Sequence, residues 1–288
     1  MKVWRTYRAL DPEQQNILAK KAVDLRRTPD ELIKLLAPIA AYDAAIGEHV
    51  NSAKLGCTGA FATFAAIGIF FVGLSGWTPL VALLLVVTAF VSVAVWTLWW
   101  KLHKADLSDN LRETALPVLR LLRDDFARGE PIHLRLDLRQ PTDAAKKTGK
   151  SKPYKRGAYY SIIDTDYEDP WMTLKANLND GSLLLVRAID SVTVMNRTKR
   201  GSSGKTRTNT RQKKKSRVNV HLGVRRKDFL VVKPPTDGRV KTTDKREVIA
   251  LSRRARMKDL TPISPLMIID AIADAYRSVR PNSQEAGA

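Results

Sequence analysis

The sequence predicts an α+β membrane protein with a two-helix transmembrane hairpin, N-terminal amphipathic helices and a small cytoplasmic antiparallel β domain flanked by helices. The first observation behind this prediction is that residues 55–100 contain no Asp, Glu, Lys, Arg or His, although 27% of the chain is charged. The second is a series of alternating apolar and polar runs with turn signals over residues 130–233, which is typical of antiparallel strands. We expect these strands to form a partly open barrel or a sandwich.

The composition divides the 288 residues into five predicted parts. They are an N-terminal cytoplasmic helical segment (1–54), the transmembrane hairpin (55–100), a juxtamembrane helix (101–129), a basic β domain (130–260) with a long basic loop (197–217), and a C-terminal helix and tail (261–288). The formal net charge is +20, and almost all of the excess falls after residue 100. Such a field favours an anionic partner, either nucleic acid or an anionic membrane surface.

Two helices are predicted before the apolar stretch. The first begins near Pro12 and places Leu18 and Leu25 on one face. The second begins after Thr28, a good N-cap residue whose capping partner would be Glu31, three residues further on. The pair is expected either to bind a partner or membrane surface, or to pack on the C-terminal domain of its own chain.

The apolar stretch consists of two runs, 55–74 and 79–99, joined by four residues. Each run has about the ~20 residues that a helix needs to cross a bilayer core of ~30 Å. Lys54 precedes the first run, and Lys101 and Lys104 follow the second. The excess of positive charge on this side predicts that both termini are cytoplasmic, in a bacterial inner membrane.

The first apolar run also carries small residues at four-residue spacing, namely Gly56 with Ala60 and Gly59 with Thr63. Small residues at this spacing let another helix approach closely. The second run of the hairpin is the expected neighbour, and a homo-oligomer formed through this face is the alternative.

The β domain is predicted from its alternation and its turns. Residues 132–139 alternate apolar and polar side chains without interruption, and Asn179-Asp180-Gly181 between two apolar runs is a strong hairpin signal. Further strands are predicted at 159–163, 171–178, 182–194, 217–224 and 229–232. A C-terminal helix is expected to start at Ser264-Pro265, an N-cap followed by proline, and to run to about Val279.

The basic loop is the predicted functional site, because no acidic residue falls between positions 197 and 227. If residues 205–211 are extended, Lys205, Arg207 and Arg211 lie on one face and the threonines on the other. The predicted anion-binding residues are Arg197, Lys199, Arg200, Lys205, Arg207, Arg211, Lys213, Lys214, Lys215 and Arg217.

Three partners are compatible with this loop, and each contacts it through a different chemistry. Nucleic acid would bind through its phosphates, without base stacking, since the loop contains no aromatic residue. Anionic lipid head groups beside the membrane hairpin would bind through surface potential. An acidic protein is the third option. Isolated, the loop is expected to be disordered.

One motif in this loop imitates a phosphate-binding P-loop. Residues 201–206 read Gly-Ser-Ser-Gly-Lys-Thr after an apolar strand, but Lys199 stands where the first glycine of the motif belongs. An amphipathic helix is not predicted after it, so the helix N-terminus that would hold the phosphate is missing. Nucleotide hydrolysis is therefore not expected.

The acidic cluster of Asp164, Asp166, Glu168 and Asp169 could supply oxygen ligands to a divalent cation. As a calcium loop it fails, because Asp169 and Lys175 stand where glycine and glutamate are required. We expect either a solvated turn or an internal partner for the basic loop. No zinc spacing or nucleophile motif is found, so no cofactor, metal or catalytic residue is assigned.

Together these features predict a two-pass membrane-anchored protein whose cytoplasmic basic β domain binds an anionic partner, as a binding module or assembly subunit. The alternative is a membrane-tethered enzyme with an unrecognised site in the β domain.

Overall fold

The computed structural model describes residues 2–49, 59, 79–201, 203–233, 235, 237–257 and 260–282. The chain divides into two compact units. One comprises Met1–Leu18 and Pro38–Leu107, and the other comprises Ala19–Ala37 and Ser108–Ala288.

The helices are α1 (Lys2–Arg8), α2 (Pro12–Lys20), α3 (29–49), α4 (Pro79–Ala105), α5 (Leu116–Leu121) and α6 (Pro265–Arg277). A π-helical turn (Leu111–Ala115) and two 3₁₀ turns (Arg123–Asp125 and Ala144–Lys146) complete the helical elements of the described residues.

The strands are β1 (Ala22–Arg27), β2 (Ile132–Asp137), β3 (Lys147–Lys150), β4 (Tyr154–Arg156), β5 (Tyr159–Asn177), β6 (Leu183–Arg200), β7 (Thr206–Arg225), β8 (Phe229–Val231), β9 (Gly238–Thr242), β10 (Arg246–Met257) and β11 (Val279–Pro281). Nine of them form one antiparallel sheet in the order β1-β2-β5-β6-β7-β10-β9, with β3 and β4 paired to the remaining length of β5. Strands β8 and β11 form a separate pair.

The core of the larger unit lies on one face of this sheet, which we call the inner face. Alternate residues of β6 and β7 point to it, and Val186, Val218, Val220 and Leu222 are fully buried there. Helix α6 contacts β7 and β10 and buries a stripe that includes Ile268. The opposite side of the sheet, its outer face, carries most of the charged residues of the same strands, because successive side chains of a strand point to opposite faces.

Two local predictions in this unit are confirmed. The turn at 179–181 joins β5 to β6, with Gly181 at φ +79° and the Ser182 amide donating to Asp180 Oδ1 at 2.8 Å. The C-terminal helix begins at Pro265, and the Ser264 hydroxyl caps it by accepting from the Leu266 amide.

The N-terminal helix prediction is only partly right. Helix α2 ends at Lys20, and residues 22–27 form β1, which pairs with β2 and buries Val23. Lys21 sits between them with φ +49°. The second start signal is confirmed, since the Thr28 amide donates to Glu31 Oε2 at 3.1 Å and α3 follows. The partner of β1 lies more than a hundred residues away, so local spacing could not indicate the strand.

The smaller unit is centred on an apolar cluster of Leu10, Tyr42 and Ile46. Tyr7 packs against this cluster, its ring 5.6 Å from that of Tyr42. The buried Asp43 carboxylate accepts the Leu107 amide at 3.0 Å, which fixes the chain just after α4.

The predicted transmembrane hairpin is wrong. Within the described residues, no helix combines the length and the apolar character that crossing a membrane requires. The second apolar run lies in α4, and the first, 55–74, falls outside the described residues except for Gly59. The prediction counted apolar residue types along the chain, and such a count does not establish two matched spans. The membrane fold class and the membrane-anchored function depended on it and fail with it.

The predicted small barrel or sandwich is also corrected, because the strands form one large sheet. The basic loop 197–217 is not a loop: β6 and β7 pair residue by residue up to Arg200 and Thr206. Thr210 donates to Asn196 Oδ1 at 2.8 Å across the two strands. β-branched threonines favour extended backbone, and cross-strand bonds of this kind stabilise it, so this polar sequence forms a hairpin. The location in the cell and homo-oligomerisation stay predictions.

Candidate anion-binding surface

The pairing register places most of the predicted anion-binding residues on the outer face of the sheet. Directly paired residues of neighbouring strands share a face, and the β6–β7 register runs without a shift from Leu183 to Arg200. We call the outward basic residues between Arg197 and Arg217 on β6 and β7, together with Arg254 and Arg256 on β10, the basic stripe. Its members are Arg197, Lys199, Arg207, Arg211, Lys213, Lys215, Arg217, Arg254 and Arg256.

Three predicted residues are not part of the stripe. Lys214 points inward, and its Nζ lies 2.8 Å from Asp190 Oδ2 with both side chains fully buried. Arg200 pairs with Thr206 on the inner side of the hairpin. Lys205 lies in the tip, where its carbonyl accepts the Gly201 amide at 2.8 Å.

Two stripe residues were missed by sequence reasoning. Arg254 and Arg256 belong to β10, where they pair with Arg217 and Lys215. Residues 246–257 were not predicted as a strand, although Arg254-Ala255-Arg256 alternates basic and apolar side chains as an exposed strand does. Only the pairing of β10 with β7 brings these arginines beside the lysines.

The predicted acidic turn is part of a strand. Asp164, Asp166 and Glu168 lie on the outer face of β5, and Asp169 points to the inner face. Strand β6 separates these acids from β7, so two strand spacings, about 9.5 Å, lie between the backbones. The closest approach is Arg217 Nη2 to Glu168 Oε1 at 4.0 Å. The outward acidic residues of β5 therefore form a second stripe parallel to β7, and they do not pair along their length with the basic residues of that strand.

A groove of about 930 Å³ lies between these stripes on the outer face. Its floor includes Thr193 and Met195 of β6, and the charged side chains of Arg197 and Asp164 line the groove beside them. One wall is basic, with Arg211, Lys213, Lys215 and Arg256. The other is formed by the β4–β5 hairpin and contains two tyrosines, Tyr154 and Tyr159, together with Arg156.

The groove rests on a network of buried charges on the inner face. Asp190 pairs with Lys214 and also accepts the Ser216 hydroxyl at 2.6 Å. Asp169, the strand partner of Asp190, lies 2.8 Å from Lys146 Nζ. Burial raises the pKa of Asp169 to about 6, although the positive charge of Lys146 opposes the rise. The Lys214–Asp190 pair joins β7 to β6, and the Lys146–Asp169 pair joins the turn at residues 144–146 to β5.

A second cavity, of about 690 Å³, lies on the outer face near β1 and β2. His133 Nε2 approaches Asp24 Oδ1 at 2.7 Å there, and this hydrogen bond lowers the pKa of Asp24. Burial, with the charge of Arg187, lowers the pKa of His221 in the same cavity. Among the described lining residues no Ser, Thr or Cys stands beside the histidines, so a nucleophilic triad is not formed.

Within the described residues, no group of three or more His, Cys, Asp or Glu side chains is arranged to hold a metal ion. Comparisons of the chain with family models, with curated proteins and with solved structures find no match.

Proposed function

We propose that the chain binds nucleic acid, with its phosphates on the basic stripe. The observation that carries this proposal is that nine Lys and Arg side chains from three strands share one outward face. Such a surface binds phosphates by releasing the cations condensed around them, a gain that does not depend on base sequence.

The basic stripe is long and narrow, so its shape matches that of a linear polyanion. From Arg207 to Arg217 it extends ten residues along β7, which is about 33 Å at the rise of an extended strand. Alternate residues of a strand stand roughly 6.7 Å apart on one face, a spacing suited to successive phosphates of an extended strand. Arg254 and Arg256 widen the stripe on the β10 side.

The stripe side chains are available for binding. Among the described residues, Arg217 is the one stripe member with a carboxylate within 4.0 Å, that of Glu168. Arg207, Arg211 and Lys213 are exposed. An exposed cation without an internal ion pair can bind a phosphate without first losing a carboxylate partner. The free energy of binding is therefore not reduced by the cost of breaking such a pair.

The acidic stripe favours a strand-like partner over a flat one. Asp164, Asp166 and Glu168 lie on the same face as the basic stripe, separated by β6 from its members on β7 and β10. A flat anionic surface, such as a lipid bilayer, would contact these carboxylates together with the basic stripe, and the like charges would repel each other. A single polyanionic chain lying along β7 and β10 avoids them.

The test is a salt series with the full-length chain and a fluorescein-labelled RNA or DNA oligonucleotide, followed by anisotropy. We expect log K to fall linearly with log salt. In the triple variant Arg211→Gln/Lys213→Gln/Lys215→Gln the magnitude of that slope should fall by about 2–3, because each lost phosphate contact removes 0.7–0.9.

The matched control, Arg226→Gln/Lys227→Gln/Lys233→Gln, removes three other exposed basic residues, two in the turn that follows β7 and one after β8. It should leave the slope close to that of the wild type. The proposal is overturned if the wild type binds neither RNA nor DNA, if both triple variants change the slope alike, or if phosphatidylglycerol vesicles or polyglutamate compete better than nucleic acid.

A further inference from the structure

The groove beside the basic stripe has two unlike walls, which a simple phosphate-binding surface does not need. One wall is basic, and the other presents the rings of Tyr154 and Tyr159. Both tyrosines come from the short β4–β5 hairpin, more than fifty residues before Arg211, the first basic residue of β7 that lines the groove. The fold therefore brings aromatic side chains to a basic segment that contains none.

At Thr193 and Met195 the floor between the walls is uncharged and partly apolar, whereas the neighbouring Asp164 and Arg197, which also line the groove, are charged. Met195 and Ile162 are almost fully buried beneath it, and Thr193 turns its hydroxyl to Asp166 at 2.7 Å. A phosphate would gain no cation from Thr193 or Met195, and the carboxylate of Asp164 beside Met195 would repel it. A nucleobase, which is flat and weakly polar, fits it better.

Both tyrosine rings are held in place. The Tyr154 hydroxyl donates to Asp164 Oδ2 at 2.8 Å, a bond that raises the pKa of the phenol and keeps it neutral. The Arg197 guanidinium lies over the Tyr159 ring, 5.6 Å from its centre, and its Nη2 is 3.4 Å from Met195 Sδ. This is a cation–π arrangement, and the guanidinium plane is a further surface on which a base can stack.

From these walls and this floor we infer that the ligand is single-stranded nucleic acid, its phosphates on the basic wall and its bases stacked on Tyr154 and on the Arg197–Tyr159 pair. This inference rests on the proposed function. A duplex keeps its bases stacked on each other inside the helix, so it can use the basic wall but not the tyrosines.

The experiment compares one labelled oligonucleotide as a single strand and as a duplex, with the full-length chain. Stacking on an aromatic side chain contributes about 1–3 kcal/mol per base. We therefore expect Tyr154→Leu/Tyr159→Leu to weaken single-strand binding by about tenfold or more, with duplex binding unchanged. Tyr154→Phe keeps the ring and should retain single-strand binding.

The control is Tyr160→Leu, a neighbouring exposed tyrosine of β5 that does not line the groove among the described residues. It should leave both affinities unchanged. A second measurement needs no variant: an oligonucleotide carrying 5-iodouridine is irradiated on the wild-type chain and the crosslinked residue is identified by mass spectrometry. Crosslinks to Tyr154 or Tyr159 are expected.

The two failures are distinguishable. If neither single strand nor duplex binds, the proposed function is wrong. If nucleic acid binds through the basic stripe, but the duplex binds as tightly as the single strand or the crosslinks fall elsewhere, the inference of base stacking alone is overturned.

Discussion

Lys213, Lys214 and Lys215 are consecutive and chemically identical, yet the structure gives them opposite environments. Lys213 and Lys215 stand exposed in the basic stripe, whereas Lys214 is buried against Asp190. The inward residue contributes to the stability of the sheet, and the outward residues contribute to the charge of the surface. Consecutive basic residues in a strand are therefore divided between the two faces of the sheet and have a different role on each face.

The largest expected effect comes from removing the inward lysine. Lys214→Ala leaves the Asp190 carboxylate buried without its cation, so the free energy of unfolding should fall by about 3–5 kcal/mol. Urea unfolding followed by circular dichroism measures this. Lys213→Ala is the matched control and should change the free energy of unfolding by less than about 0.5 kcal/mol. Equal effects of the two substitutions would refute the assignment of faces.

A second comparison concerns pH and the two faces of β5. Because burial raises the pKa of Asp169 to about 6, the folded protein holds a proton between pH ~4 and ~6 that the unfolded chain has released. The contribution of Asp169 to the free energy of unfolding therefore falls as pH rises through this window and is constant above it. Relative to Asp169→Asn, the wild type should lose roughly 1–3 kcal/mol between these pH values.

Denaturant unfolding at a series of pH values tests this expectation, with Asp166→Asn on the outer face of the same strand as the control. If Asp166→Asn produces the same change relative to the wild type, burial of Asp169 is not its cause.

The smallest expected effect comes from comparing substitutions on the two faces of the hairpin near its tip. Thr210→Val removes the hydrogen bond to Asn196 on the inner side and should lower the free energy of unfolding by at most about 1 kcal/mol. Nucleic-acid affinity should stay unchanged, because the stripe is intact. The neighbouring Arg211→Gln should weaken binding without changing stability. Anisotropy and urea unfolding on both variants measure the two quantities, and a loss of affinity in Thr210→Val would count against one-sided binding.

The sequence predicted what short-range chemistry determines. The turn at Gly181, the capped start of α6 at Ser264 and the Thr28–Glu31 cap each depend on residues within a few positions of one another. The alternation that puts Arg207 and Arg211 on one face is likewise local, and the register agrees with it.

What the sequence did not predict depends on distant pairing. Strand β1 exists because it pairs with β2, and β10 because it pairs with β7. Lys214 can be buried because it pairs with the carboxylate of Asp190, a residue 24 positions earlier in the chain. The tyrosine wall of the groove likewise needs the β4–β5 hairpin to fold beside β6. The transmembrane prediction failed for a different reason, since apolar composition was taken as sufficient for a membrane span.

The buried pair of Lys214 and Asp190 has a consequence for the fidelity of folding. Sliding β7 by one residue against β6 would turn the strand inside out, with Lys213 and Lys215 in the core and Lys214 in the groove. Three consecutive lysines could each reach the carboxylate, so the charge alone does not choose among them. The hydrogen bond from Ser216 to Asp190, together with Val218 and the apolar residues after it, selects one alignment. The positions of the outward lysines are therefore determined by contacts on the inner face, on the opposite side of the sheet from the proposed ligand.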